Sequence, residues 1–240
     1  MSVSGTFYGI GVGPGDPELL TLKAQRLIAT CPVISYPCNA EGHSLARSIA
    51  ADAIAARTFP EGRREIPVPL PMSNDRAPAR EAYDRAAEAI CAELAEGHGV
   101  GFLCEGDPFF YGSFMYLFQR IAERHPTRIV PGITSLTACA AALGRPLAAR
   151  SEVLKVLPAT LDADRLEGEL KAVESAAIMK VGRHFDKVRG VLGRLGLLDH
   201  AALVEAASRP DEQVRPLAQV PEGARPYFSM ILVYRGAEGW

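Results

Sequence analysis

Short apolar runs of strand length alternate with helix-patterned segments along the whole chain, and this alternation restricts the fold to the α/β class. Residues 6–12, 33–36 and 100–103 read as buried strands, and 128–130 as a fourth. Helical patterns separate them at 19–29, 44–55, 79–95 and 112–123. In 79–95 the apolar positions Tyr83, Ala86, Ala87, Ile90 and Leu94 share one face, while Arg80–Asp84 and Glu81–Arg85 have i,i+4 spacing. Prolines 67, 69 and 71 make 66–72 an edge strand or an extended loop, because proline donates nothing to a sheet ladder.

The rhythm changes after the helix at 135–143. Strand candidates at 153–157, 176–181, 202–205 and 228–234 have only two clear helices among them, at 162–171 and 184–195, which implies antiparallel pairing. With 240 residues, two compact domains are expected. The linker-like His125-Pro126-Thr127 puts the division at 1–127 and 128–240.

Composition narrows the function classes. A net charge of −2 with no basic run gives no field for nucleic acid or anionic lipid. Cys31, Cys38, Cys91, Cys104 and Cys139 include no C-x-x-C pair, and their odd number favours reduced thiols. No stretch approaches the ~20 apolar residues that cross a bilayer, and no secretory leader pattern opens the chain. A cytoplasmic protein is expected, with no membrane or nucleic-acid partner. The five histidines lack metal-ligand spacing, so no metal is assigned.

Four motifs sit where strands give way to helices. The first is Gly9-Ile-Gly11-Val-Gly13-Pro-Gly15-Asp-Pro17, in which Asp16 can cap a helix that has Pro17 at its first position. Neither the dinucleotide pattern G-x-G-x-x-G nor the Walker pattern fits it, and Pro14 removes a donor that a phosphate would use. The second, Glu105-Gly106-Asp107-Pro108-Phe109-Phe110-Tyr111-Gly112, repeats the Gly-Asp-Pro bend and adds three aromatics, some of which are expected to line a cavity. The third is Val130-Pro131-Gly132-Ile133-Thr134-Ser135, and the fourth surrounds Met179 and is followed by basic residues. Taken separately, each is also explained as a capped turn or a core contact.

Together, GIGVGPGDPELLTLKA at 9–24, EGDPFFYG at 105–112, VPGITS at 130–135 and the strand around Met179 resemble the tetrapyrrole methyltransferases, the class III S-adenosylmethionine enzymes. Four further stretches resemble the precorrin-2 C20-methyltransferase branch: VISYPCNAEGHSLA at 33–46, LPMSND at 70–75, MKVGRHFDKV at 179–188 and PYFSMILVYR at 226–235. The resemblance departs at Cys104-Glu105, where the family commonly carries a small residue before Gly-Asp-Pro.

The resemblance implies two α/β domains around mixed sheets, S-adenosylmethionine in the cleft between them, a homodimer and a small tetrapyrrole substrate. It carries cofactor contacts to Pro14, Glu105, Gly106, Asp107, Phe110, Thr134, Ser135 and Met179, and to Ala207 and Ser229. Glu105 and Tyr111 are the candidates for assisting proton removal. A substrate rich in carboxylates needs cations, and Arg47, Lys180, Arg183 and Lys187 are the candidates. The alternatives are methylation elsewhere on the macrocycle, a cobalt-containing substrate, an RNA ribose methyltransferase on the same fold, or a non-catalytic binding subunit.

Overall fold

The computed structural model describes residues 4–56, 64–70 and 77–236. Pro71 and Met72, and all but the first residue of the 70–75 stretch, lie outside them. The chain forms two compact units that meet in sequence at Thr134 and Ser135.

The first unit holds β1 (Phe7–Gly11), β2 (Val33–Cys38), β3 (Arg64–Pro69), β4 (Val100–Cys104) and β5 (Thr127–Val130). They pair in the order β3-β2-β4-β1-β5. Every pairing is parallel. Each connection therefore crosses over, using α1 (Leu22–Thr30), α2 (Leu45–Ile49) with α3 (Ala51–Ala55), α4 (Ala77–Ala95) and α5 (Phe114–Ile121) in turn. Alternation along the strands feeds two cores. Ile10, Ile34 and Leu103 pack under α1–α3, whereas Phe7, Phe102 and Val100 pack under α4 and α5. The proline-bearing β3 is an edge strand, as its sequence predicts.

The second unit opens with α6 (Ser135–Leu143) and contains α7 (Ala163–Leu170) and α8 (Phe185–Arg194). Its sheet consists of β6 (Leu154–Pro158), β7 (Ser175–Met179), β8 (Ala201–Glu205), β9 (Gln213–Pro216) and β10 (Ser229–Tyr234), in the order β6-β7-β10-β8-β9. Here β6 and β7 are parallel and the other pairings antiparallel, so this sheet is the mixed one while the first is parallel throughout. Phe185, Val188, Leu192, Ile178 and Ile231 belong to its core.

Three expectations need correction. The boundary read at 127/128 moves to 134/135, because the 127–130 segment pairs with β1 and belongs to the first sheet. The helix read at 44–55 is two short helices, α2 and α3, that meet at Ala50 (φ −87°, ψ 8°). Of the two i,i+4 pairs read on α4, Glu81 and Arg85 approach to 3.9 Å, whereas Asp84 is paired instead with Arg120 of α5 at 2.6 Å.

Candidate functional site

The strand ends of the first sheet gather the glycine motifs. Gly13 and Gly106 exchange both of their backbone hydrogen bonds, at 3.3 and 2.8 Å, and so join the loops after β1 and β4. A Cβ added to Gly11 would lie 2.6 Å from both Gly106 O and Gly132 N, and one added to Gly132 would lie 2.1 Å from Gly106 O. Three loops thus cross with backbone touching backbone, which only glycine permits. Gly9 has another purpose. A Cβ there would lie 2.4 Å from the Phe114 ring, so its absence seats that phenylalanine in the core.

Asp107 fastens the same junction. One carboxylate oxygen accepts from Phe109 N at 2.9 Å, and the other accepts from Gly132 N at 3.0 Å. Asp16 caps as its sequence suggests, accepting from Glu18 N at 2.8 Å with Pro17 leading the short turn, while α1 has its own cap in Thr21.

Connections leave β2 and β4, neighbours in the sheet, on opposite faces. Their strand ends form a topological switch point, the usual ligand position on an open parallel sheet. Glu105 lies there, directly after β4. Its pKa is raised, first by burial; bonds from its own N–H and from Ala46 N–H at the start of α2 counter the rise. Ser44 caps α2 by accepting from Arg47 N at 3.2 Å.

The remaining expected residues of this unit lie in the same loops. Pro14 follows Gly13. Thr134 is within reach of Gly106, whose added Cβ would sit 3.8 Å from Thr134 Cα. The three aromatics separate: Phe109 packs on Phe114 and Phe118 at 5.7 and 5.2 Å, while Phe110 stacks edge-to-face with Tyr111 at 5.3 Å. Tyr111 is 40% exposed and holds a left-handed backbone (φ 56°), a conformation costly for a bulky residue.

In the second unit, one edge of the sheet collects Met179 at the end of β7, Ala207 just past β8 and Ser229 at the start of β10. All three are nearly buried, at 9%, 8% and 7% exposure, and they make a mostly apolar floor. Ser229 Oγ donates to Pro226 O at 2.6 Å, so its hydroxyl is already engaged. Ser135 begins α6. Lys180, exposed and left-handed (φ 59°), and Arg183, also exposed, come after Met179.

Two of the expected substrate cations are committed within the chain. Lys187 Nζ donates to Ala159 O at 2.6 Å and to Leu161 O, clasping the turn after β6, and desolvation lowers its pKa. Arg47 makes a two-pronged bond to Glu65, at 2.7 and 3.2 Å, and Tyr36 donates to the same carboxylate at 2.7 Å. Sequence spacing missed Glu65 because β3 and α2 meet only through the fold.

Among the described residues, Glu93, Glu96 and His98 form a group of metal-ligating types. Arg64 occupies the same cluster, bonded to Glu93 and His98 at 3.2 and 3.1 Å, and supplies the cation there. All five cysteines are buried, and none is joined in a disulfide. No helix among the described residues is long and apolar enough to cross a membrane.

Known proteins resemble this chain in sequence and in fold. The cobalamin biosynthesis protein CobIJ of Mycobacterium tuberculosis is 40% identical over 240 residues, which cover 98% of this chain and 47% of that protein. The chain thus spans about half the length of the first curated relatives it matches. The precorrin-2 C(20)-methyltransferase of Sinorhizobium sp is 37% identical, over 98% of this chain and 96% of that protein. Among solved structures, the uroporphyrin-III C-methyl transferase of Thermus thermophilus complexed with S-adenyl homocysteine superposes with a TM-score of 0.65 at 25% identity, covering 95% of this chain and 97% of that one. Residues 6–221, from the first strand of the parallel sheet to beyond β9, match the Tetrapyrrole (Corrin/Porphyrin) Methylases, and the chain belongs to that family.

Proposed function

We propose that this chain transfers a methyl group from S-adenosylmethionine to the C20 meso carbon of precorrin-2, giving precorrin-3A in corrin (cobalamin) biosynthesis. The observation that carries the reading is the junction of three glycine loops at the strand ends. Gly13 and Gly106 use their N–H groups on each other, so this glycine loop is not a free cradle of donors for a phosphate. It fits a ligand without phosphates, and the apolar floor of Met179 and Ala207 fits an adenine.

Pro14, the turn at 105–107, Phe110 and Thr134 of the first unit would hold the cofactor, as would Ser135, Met179, Ala207 and Ser229 of the second. Bound S-adenosylmethionine supplies an electrophilic methyl group on a positively charged sulfur. The meso carbon of the reduced tetrapyrrole is enamine-like, so the residues act chiefly by orientation, worth about 7–11 kcal/mol when alignment is good. Glu105 is our first candidate to receive the proton that the methylated carbon loses, a role supported by the burial that raises its affinity for one. Tyr111 is the second candidate for that assistance. Lys180, Arg183 and Arg47 are the cations we assign to substrate carboxylates, and Arg47 would exchange Glu65 for one. The working form we propose is a cytoplasmic homodimer.

The test incubates the protein with methyl-labelled S-adenosylmethionine and precorrin-2, with and without cobalt inserted, and locates the label by NMR. Label at C20 supports the reading. Label at another carbon moves the assignment to a different methylation of the same macrocycle, and no transfer to either substrate overturns it.

A further inference from the structure

The ligand edge of the second unit contains an ion pair, buried at its carboxylate and part-exposed at its guanidinium, that the proposed chemistry does not use. Glu205 ends β8 at 6% exposure, and its carboxylate pairs with Arg215 Nη2 of β9. The same guanidinium is imperfectly satisfied: its Nε is buried and has no hydrogen-bond partner among the described residues. Such a pair is a poor stabilising device, because desolvation offsets the Coulomb attraction and the orphan donor adds a cost. The hairpin does not need it either, since β8 and β9 are already laddered from Ala202–Pro216 to Glu205–Gln213.

The backbone turns unusually just past Glu205. Ala206 and Ser208 are both left-handed (φ 52° and 64°) without being glycine, so the turn at 206–208 is strained, and Ala207 stands between them. The turn is tied down on several sides. Ala206 N donates to Phe228 O at 2.9 Å, Ser208 N to the Glu212 carboxylate at 2.6 Å, and Arg209 N to Ala206 O at 3.0 Å. Ser229, across the ladder, is the direct partner of Glu205. The pair therefore lies beside both residues of the β8 and β10 ends that face the proposed cofactor.

We propose that the Glu205–Arg215 pair is a positioning device that fixes the direction in which β8 ends, so that the strained turn presents Ala207 to its ligand. This rests on the proposed binding of S-adenosylmethionine against Ala207. Strain of this kind persists only where surrounding contacts over-determine the backbone, and a directional charge pair at the root of the turn does that where apolar packing would let it rotate.

Calorimetry with S-adenosylhomocysteine tests the proposal on the full chain, alongside urea melts, using the wild type, Glu205→Gln, and the double variant Glu205→Leu/Arg215→Met. The double variant should keep or raise the urea midpoint while binding about tenfold more weakly or worse. Glu205→Gln, which still accepts from Arg215, should stay within about threefold of the wild type. Wild-type affinity in the double variant overturns the proposal. Affinity and urea midpoint falling together overturn it as well, since the pair is then only structural. Failure of the wild type to bind at all sinks the cofactor reading and this inference with it. Binding by the wild type with discordant variants sinks this inference alone.

Discussion

Asp107 ties two loops together with a single side chain. Its two oxygens join the loops after β4 and β5 through Phe109 N and Gly132 N. Asp107→Ala removes both bonds and should cost roughly 2 kcal/mol of stability in urea. It should also weaken S-adenosylhomocysteine binding more than tenfold by calorimetry, because Gly106 is no longer held in register. Glu105 behaves differently, since its burial penalises the ionised form. A carboxyl whose folded pKa lies above its ordinary 4.5 makes the folded chain the better proton binder. Its contribution to stability is therefore fully present below the ordinary range and falls as pH rises through the folded value. Glu105→Gln should be more stable than the wild type in urea at pH 7 and no more stable near pH 4. It should also slow methyl transfer by about 100-fold if the carboxylate takes the proton.

At the scale of elements, the legible parts were those specified by neighbours in sequence. The Gly-Asp-Pro bends, the apolar face of α4 and the proline-marked edge β3 all arise from local chemistry. The missed parts are non-local or featureless. β9 is a mostly exposed Gln-Val-Arg-Pro segment with no apolar alternation, so only its pairing with β8 identifies it. The boundary slipped because a proline-containing turn before β5 looks like a linker, while the strand it introduces belongs to the sheet already begun. The proposed cofactor residues were assigned from motif order. The commitment of Lys187 and Arg47 could not be, because their partners lie 26 to 28 and 18 residues away in the chain. Lys187 yields a prediction that separates clasp from substrate anchor. Lys187→Met should destabilise the chain by about 1–3 kcal/mol in urea, since two carbonyls lose their donor, and should leave the KM for the tetrapyrrole unchanged.

At the scale of the whole molecule, the two units have separate cores: one in the second unit, and one on each face of the parallel sheet in the first. Phe185, fully buried in the second, is a direct probe of that separation. Phe185→Ala should cost about 3–5 kcal/mol. Hydrogen exchange should then accelerate for amides at 135–236 and remain near wild-type rates at 4–134.

Strand order in the first sheet also bears on how the protein is made. β1 pairs with β4 and β5, Phe7 lying opposite Val100 and Thr127, and never with β2, the next strand in the chain. A ribosome adding about 5–20 residues per second therefore leaves the first strand without a bonding partner for roughly 5–20 seconds. During that interval an apolar segment with open backbone groups on both sides is exposed to other nascent chains, and a chaperone has its greatest opportunity to act.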